Sequence, residues 1–162
     1  MKRTILMLGL AAFFMLAGQK VYACSCMHAI ARVDAEGKPV KPDTEALGRY
    51  WRERFKGAAF VGAVTKIQKV NVKWFDEPRR MKKVTVSVER SWAGVNSDTF
   101  VIYTALGQGG DCGVNYVKGE RYFFYADVIG GVLETNACSA KEPESDFAKL
   151  LREVLGEGKS WP

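Results

Sequence analysis

Two cysteines separated by a single serine, Cys24 and Cys26, follow directly on an export-like segment, and the other two, Cys112 and Cys138, lie far downstream. In an extended segment residues i and i+2 point to the same face. Cys24 and Cys26 then look the same way, and a bond between them would be strained. Two long bridges, one to Cys112 and one to Cys138, avoid that strain and leave open which cysteine takes which partner. Each would close a loop of about a hundred residues and stabilise the fold by about 4–5 kcal/mol on a chain-entropy basis. The bridges would pin the N-terminal segment across the domain, with Ser25 pointing outward between them. A rival reading is a metal site. Cys24, Cys26, Met27 and His28 place two thiols, a thioether and the chain's single histidine within five residues, a soft donor set suited to Cu(I) or zinc. An even cysteine count in an exported chain favours disulfides over thiolate ligands.

Export is read from residues 1–23. Lys2 and Arg3 form a positive start, residues 5–17 are apolar, and Gly18, Gln19 and Lys20 end the run before Val21-Tyr22-Ala23. The apolar run is short for a membrane span and fits a signal peptide cleaved before Cys24. Acylation of Cys24 after cleavage is the alternative, although Tyr22 is bulky for a lipoprotein site. The expected locale is secreted, periplasmic or extracellular, with membrane attachment only if Cys24 is lipidated. Cleavage would leave residues 24–162 as a single domain of 139 residues, large enough to bury a core. It would also lower the net charge from +6 to +3, with 21 basic residues against 18 acidic ones. Lys66, Lys69, Lys73, Arg79, Arg80, Lys82 and Lys83 have acids close by in sequence and read as a solvated mixed surface, so no nucleic-acid partner is expected.

Residues 29–42, with Gly37, Pro39 and Pro42 among charges, read as a loop. Asp43 or Thr44 can cap a helix in which Ala46, Leu47, Tyr50, Trp51 and Phe55 recur at helical spacing, ending near Gly57. From Ala58 the period changes to two, through Phe60, Val64, Val70 and Val72, up to a hairpin tip at Trp74-Phe75-Asp76-Glu77-Pro78. Strands are expected through Val84, Val86 and Val88, over Phe100-Val101-Ile102-Tyr103, over Arg121-Tyr122-Phe123-Phe124-Tyr125-Ala126, and from Val132 after the turn Gly130-Gly131. Gly107-Gln108-Gly109-Gly110-Asp111 lacks the lysine and the following helix of a phosphate loop, so it is read as a plain loop into Cys112-Gly113. Ser145 caps a second helix with Phe147, Leu150, Leu151 and Val154 on its apolar face, followed by a polar Gly-rich tail. Five or six short strands, an inserted helix and a C-terminal helix predict a mainly β protein. The five-stranded closed barrel of the oligonucleotide/oligosaccharide-binding type fits the strand count.

Taken in order, these segments resemble the N-terminal, inhibitory domain of the tissue inhibitors of metalloproteinases, within the netrin-like group. The residues that carry the resemblance are Cys24-Ser25-Cys26, Ala59-Phe60-Val61-Gly62, Val84-Thr85-Val86-Ser87-Val88 with Trp92-Ala93-Gly94, and Val101-Ile102-Tyr103-Thr104 before Cys112-Gly113. They continue through Tyr122-Phe123-Phe124-Tyr125-Ala126 and Leu133-Glu134-Thr135-Asn136-Ala137-Cys138-Ser139. The resemblance implies a netrin-like, OB-fold-like barrel and the pairings Cys24–Cys112 and Cys26–Cys138. It also implies a partner, a zinc metallopeptidase. The free amine and carbonyl of Cys24 would chelate the catalytic zinc at the position kept open for water. Ser25 would enter the pocket for a substrate side chain, and Cys26, Met27, Asp111 and Cys112 would form the inhibitory ridge. Three features depart from the family pattern. The third bridge of this domain has no cysteines here, Met27-His28-Ala29 stands in place of a proline-rich segment, and Asp111 and its glycines differ from the usual contact loop.

With one histidine and no histidine-carboxylate metal motif, the chain is not expected to be an enzyme or to need a cofactor. Two alternatives to inhibition remain: a netrin-like binding module of the cell envelope, and a copper- or zinc-binding protein using Cys24, Cys26 and His28.

Overall fold

The fold is seen in a computed structural model that describes residues 32–33, 36, 38–40, 43–107, 110–139 and 142–162. Within the stretch read as a loop, a minimal antiparallel pair forms from β1 (Arg32–Val33) and β2 (Pro39–Val40). Helix α1 (Thr44–Glu53) follows, and the choice between two caps falls on Asp43, whose carboxylate accepts the Ala46 N–H at 2.9 Å. The helix stops at Glu53, four residues before Gly57.

The first long strand runs from Ala58 to the expected hairpin tip, and its partner is longer than expected, beginning seven residues before Val84. Strands β3 (Ala58–Trp74) and β4 (Glu77–Ala93) are 17 residues each and pair antiparallel from Ala59↔Ala93 to Trp74↔Glu77, with register shifts near Phe60, Val61 and Val64. Then come β5 (Thr99–Thr104), β6 (Arg121–Ile129) and β7 (Val132–Glu134), the last two joined at Gly130-Gly131 as expected. Helix α2 (Asp146–Leu155) starts at Ser145, whose hydroxyl accepts the Ala148 N–H. The tail is not irregular: β8 (Lys159–Ser160) pairs with β4 at Arg90 and Ser91. It is held there because Trp161 donates from its indole to the Ser91 hydroxyl at 2.8 Å and from its backbone to the Glu89 carbonyl.

The sheet is mixed and six-stranded, in the order β3-β6-β7-β5-β4-β8, and the β3–β4 pairing closes a ring of hydrogen bonds through five strands. All pairs are antiparallel except β5 with β7, parallel at Tyr103↔Glu134. Alternation along β3 explains the core. Ala58, Phe60 and Val64 face one cluster with Val84, Val86, Val88, Ile102, Tyr116, Phe124 and Ala126. Ala59 and Val61 face the other way, against Trp51, Phe123, Ala148 and Leu151. Both faces of β3 are therefore buried where α1 and α2 cover it, which accounts for the unbroken apolar run at its start. Trp51 of α1 and Phe55, two residues past its end, lie 5.2 and 5.1 Å from the Tyr125 ring, and Phe147 of α2 lies 5.9 Å from Phe123. Burying an aromatic side chain of this size contributes about 1.5–3 kcal/mol, so these contacts fix the helices to the sheet. Of the aromatic residues read at helical spacing, Trp51 and Phe55 pack against the sheet, while Tyr50 is 45% exposed.

Candidate functional site at the Cys112 and Cys138 edge

Cys112 and Cys138 come from different loops, and the fold sets those loops side by side. After β5, Thr104 is fully buried and its hydroxyl accepts the Val114 N–H at 3.0 Å. This folds the loop back on itself. The Asp111 carboxylate accepts the Gly107 N–H (2.9 and 3.1 Å to its two oxygens) and the Gly113 N–H at 3.0 Å, closing the turn around Cys112. A side chain at Gly113 would put its Cβ 2.3 Å from the Ala105 carbonyl oxygen, so the two limbs of the loop approach as closely as they do only with glycine there. Cys112 itself has φ of 58°, a left-handed conformation that non-glycine residues seldom take. Two constraints hold it there: the Asp111 hydrogen bonds on both sides, and the bond its carbonyl accepts from the Ala137 N–H at 2.8 Å.

The second limb follows β7. The Thr135 N–H donates to the Tyr103 carbonyl at 2.8 Å, and the buried Thr135 and Tyr116 hydroxyls meet at 3.3 Å. The side-chain oxygen of Asn136 accepts the Cys138 N–H at 2.8 Å and the Ser139 hydroxyl at 3.2 Å, a local turn that fixes Cys138. Lys82 of β4 braces the first limb from below, donating to the Asn115 side-chain oxygen at 2.6 Å and the Val114 carbonyl at 3.1 Å. Burial pushes its ammonium below the usual lysine range; Asp111 opposes that shift, and Lys69 adds to it. Both Cys112 and Cys138 are disulfide-bonded, and no cysteine among the described residues is a free thiol.

Of the expected site residues, Asp111, Cys112 and Cys138 thus gather at one edge of the strand ring. Cys24, Ser25, Cys26, Met27 and His28 lie outside the described residues, and with them the two pairings and the alternative metal set. Thr104, Asn115, Tyr116, Thr135, Asn136 and Lys82 form the frame of this edge, and none was read as a site residue from sequence; Lys82 was read as one of the solvated surface cations. Only Asn136 carried a usable signal: an asparagine two residues ahead of a cysteine can bond that residue's N–H and set a turn. The chain matches no known family model, no curated protein and no solved structure.

The frame makes the fold sensitive to alkali. Burial pushes the Tyr116 phenol well above its ordinary range, with the Thr135 bond opposing and Tyr122 adding to the shift. Burial also raises Tyr125, and its hydroxyl donates to Asp127 at 2.9 Å. Both protons are held more tightly in the folded chain. The stability they supply is therefore complete below about pH 10, where a free tyrosine titrates, and is lost as pH rises past that value. The unfolding free energy from urea titration is expected to fall above pH 10, by about 1.4 kcal/mol per pH unit for Tyr116 and by less for the partly exposed Tyr125, and the midpoint falls with it. Tyr116→Phe should flatten the decline, and an unchanged midpoint between pH 9 and 11 would contradict this reading.

Proposed function

We propose that the chain is a secreted inhibitor of zinc metallopeptidases, resembling the N-terminal domain of the tissue inhibitors of metalloproteinases, with its five-stranded ring a netrin-like barrel of the OB type. In this reading cleavage before Cys24 frees an α-amino group. Bridges Cys24–Cys112 and Cys26–Cys138 then fasten the new N-terminus to the edge formed by the two loops. The amine and carbonyl of Cys24 take the open coordination position of the target's zinc and displace its water. Ser25 occupies the adjacent substrate pocket, flanked by a ridge of Cys26, Met27, Asp111 and Cys112. The chain needs no cofactor and catalyses nothing, because the zinc belongs to the peptidase.

The observation that carries the proposal is the hydrogen bond from the Ala137 N–H to the Cys112 carbonyl. It sets two half-cystines next to each other on neighbouring loops, and two cysteines at i and i+2 of an extended segment present their sulfurs on one side to meet such a pair. A wedge held by two crosslinks loses little conformational freedom on binding, so more of its contact energy appears as affinity. The test is titration of the processed protein against a panel of zinc endopeptidases. The proposal expects stoichiometric inhibition of at least one member at micromolar protein. Full activity of every member would reject inhibition and leave a binding module on the same fold.

A further inference from the structure

The seven cations that read as a mixed surface in sequence are collected by the fold on one ribbon. Residues 66–83 carry seven Lys and Arg against two acids, a local net charge of +5, and all but the two turn residues belong to β3 or β4. The register pairs Lys69 with Lys82, Asn71 with Arg80 and Lys73 with Pro78, which sets four cations on one face of the hairpin. Like charges directly opposite each other are unfavourable in a sheet; Lys82 turns to Asn115, Val114 and the nearby Asp111, and Lys69 is left outward. Among the described residues, Lys69 and Arg80 are exposed and have no ion-pair partner, and Lys73 has only a solvent-exposed contact with Asp76.

The end of this ribbon is apolar. Phe75 is 64% exposed and, with Asp76, forms the two-residue turn in left-handed conformation (φ 47° and 68°). Such turns favour Asn-Gly, and an aromatic there is an outlier. The finger is braced. The Trp74 ring lies 4.5 Å from that of Phe75, its other neighbours being the Arg79 guanidinium at 4.1 Å and Glu134, which accepts the indole N–H at 2.9 Å. The Phe75 N–H donates to the Gly130 carbonyl, so the β6–β7 turn lies beside the tip, and Val128, a second exposed apolar residue, is two positions from that turn.

We propose that this hairpin docks end-on to an anionic membrane surface, Phe75 entering the interface and Lys73, Arg80 and Lys69 meeting acidic headgroups behind it. A strand rises about 3.3 Å per residue, so these cations sit within about 20 Å of the tip. Apolar contact at the front with cations at headgroup level is the arrangement by which a peripheral protein gains both terms. A soluble polyanion would engage the cations but offers no acyl layer to Phe75, which favours lipid. None of the docking residues Phe75, Lys73, Arg80 and Lys69 is assigned a part in zinc capping, so the two proposals are tested separately.

The experiment is co-sedimentation of the purified chain with vesicles of phosphatidylcholine alone and of three parts phosphatidylcholine to one part phosphatidylglycerol. Binding is expected only with phosphatidylglycerol, weakening as salt is raised. Lys69→Gln and Arg80→Gln should each lower affinity about fivefold, and Phe75→Ser about tenfold, with unchanged thermal melts showing that the variants fold. Phe75→Trp should shift its emission to the blue on these vesicles. Failure to bind the anionic vesicles, or equal binding to both kinds, would overturn the proposal. So would loss of inorganic polyphosphate binding in the charge variants with full vesicle binding in Phe75→Ser, an outcome that marks a general polyanion contact.

Discussion

One extra alanine ahead of Cys24 is expected to weaken inhibition of a susceptible zinc endopeptidase by at least about a hundredfold, about 2.7 kcal/mol or more. The proposed metal ligands are the amine and the carbonyl of one residue, which together form a chelate. An added residue turns that amine into an amide, whose nitrogen has no lone pair for zinc, and puts a methyl group where the metal should sit. The same chemistry sets the pH dependence. Only the unprotonated amine binds metal, and its reference pKa is about 7.7–8.0. Affinity should therefore fall about tenfold for each pH unit below that range. Acetylation of the amine, with the fold intact by circular dichroism, should match the added alanine. Inhibition that survives either change would mean that the contact is made elsewhere on the surface.

The second large effect concerns the core. Phe60→Ala should destabilise the fold by about 3–5 kcal/mol. Phe60 is fully buried, stacks on Phe124 at 4.9 Å and meets Phe100 edge-on at 5.3 Å. The register also places it opposite both Ser91 of β4 and Phe124 of β6. Removing the ring leaves a cavity at the junction of three strands, where the closed hydrogen-bonded ring limits how far the walls can collapse. Domains of this size have about 5–15 kcal/mol in total, so the loss is a large share. Urea unfolding should show a lower midpoint with an unchanged slope. A cost below about 1 kcal/mol would show that Phe60 is not part of a closed core.

Local signals were strong where one residue decides the outcome. The cap at Ser145, the turn at Gly130-Gly131 and the alternation through Val84, Val86 and Val88 give the same answer in sequence and in structure, and Asp43 was one of the two caps the sequence allowed. What was hidden depended on partners distant in the chain. Strand β8 is invisible in Gly156-Glu157-Gly158-Lys159-Ser160, because its reason for being a strand is Ser91 and Glu89, about 70 residues earlier. Strand β3 was legible up to its hairpin tip, but the length of β4 was underestimated because Arg79, Arg80, Lys82 and Lys83 mask the alternation before Val84. The cations are also scattered in sequence, and only the register brings Lys69 opposite Lys82.

The site was legible to a similar depth. Cys112 and Cys138 stood out as cysteines, and Asp111 as a neighbour of one of them. Their proximity is a product of topology: β5 and β7 run parallel at Tyr103 and Glu134, and the two loops leave the sheet at the same end. Asn136 aside, the polar frame of Thr104, Tyr116 and Thr135 consists of residue types common in any loop. Nothing short of the folded path marks them as a support for Cys112.

The central claim is that the two half-cystines of this edge secure an exported chain beginning at Cys24. The most direct measurement is non-reducing peptide mapping with intact mass on the secreted product. The account predicts an unmodified amine on Cys24, Cys24 joined to Cys112, Cys26 joined to Cys138, and no titratable thiol. A product that starts elsewhere, carries an acyl chain on Cys24, or joins Cys112 to Cys138 would contradict it.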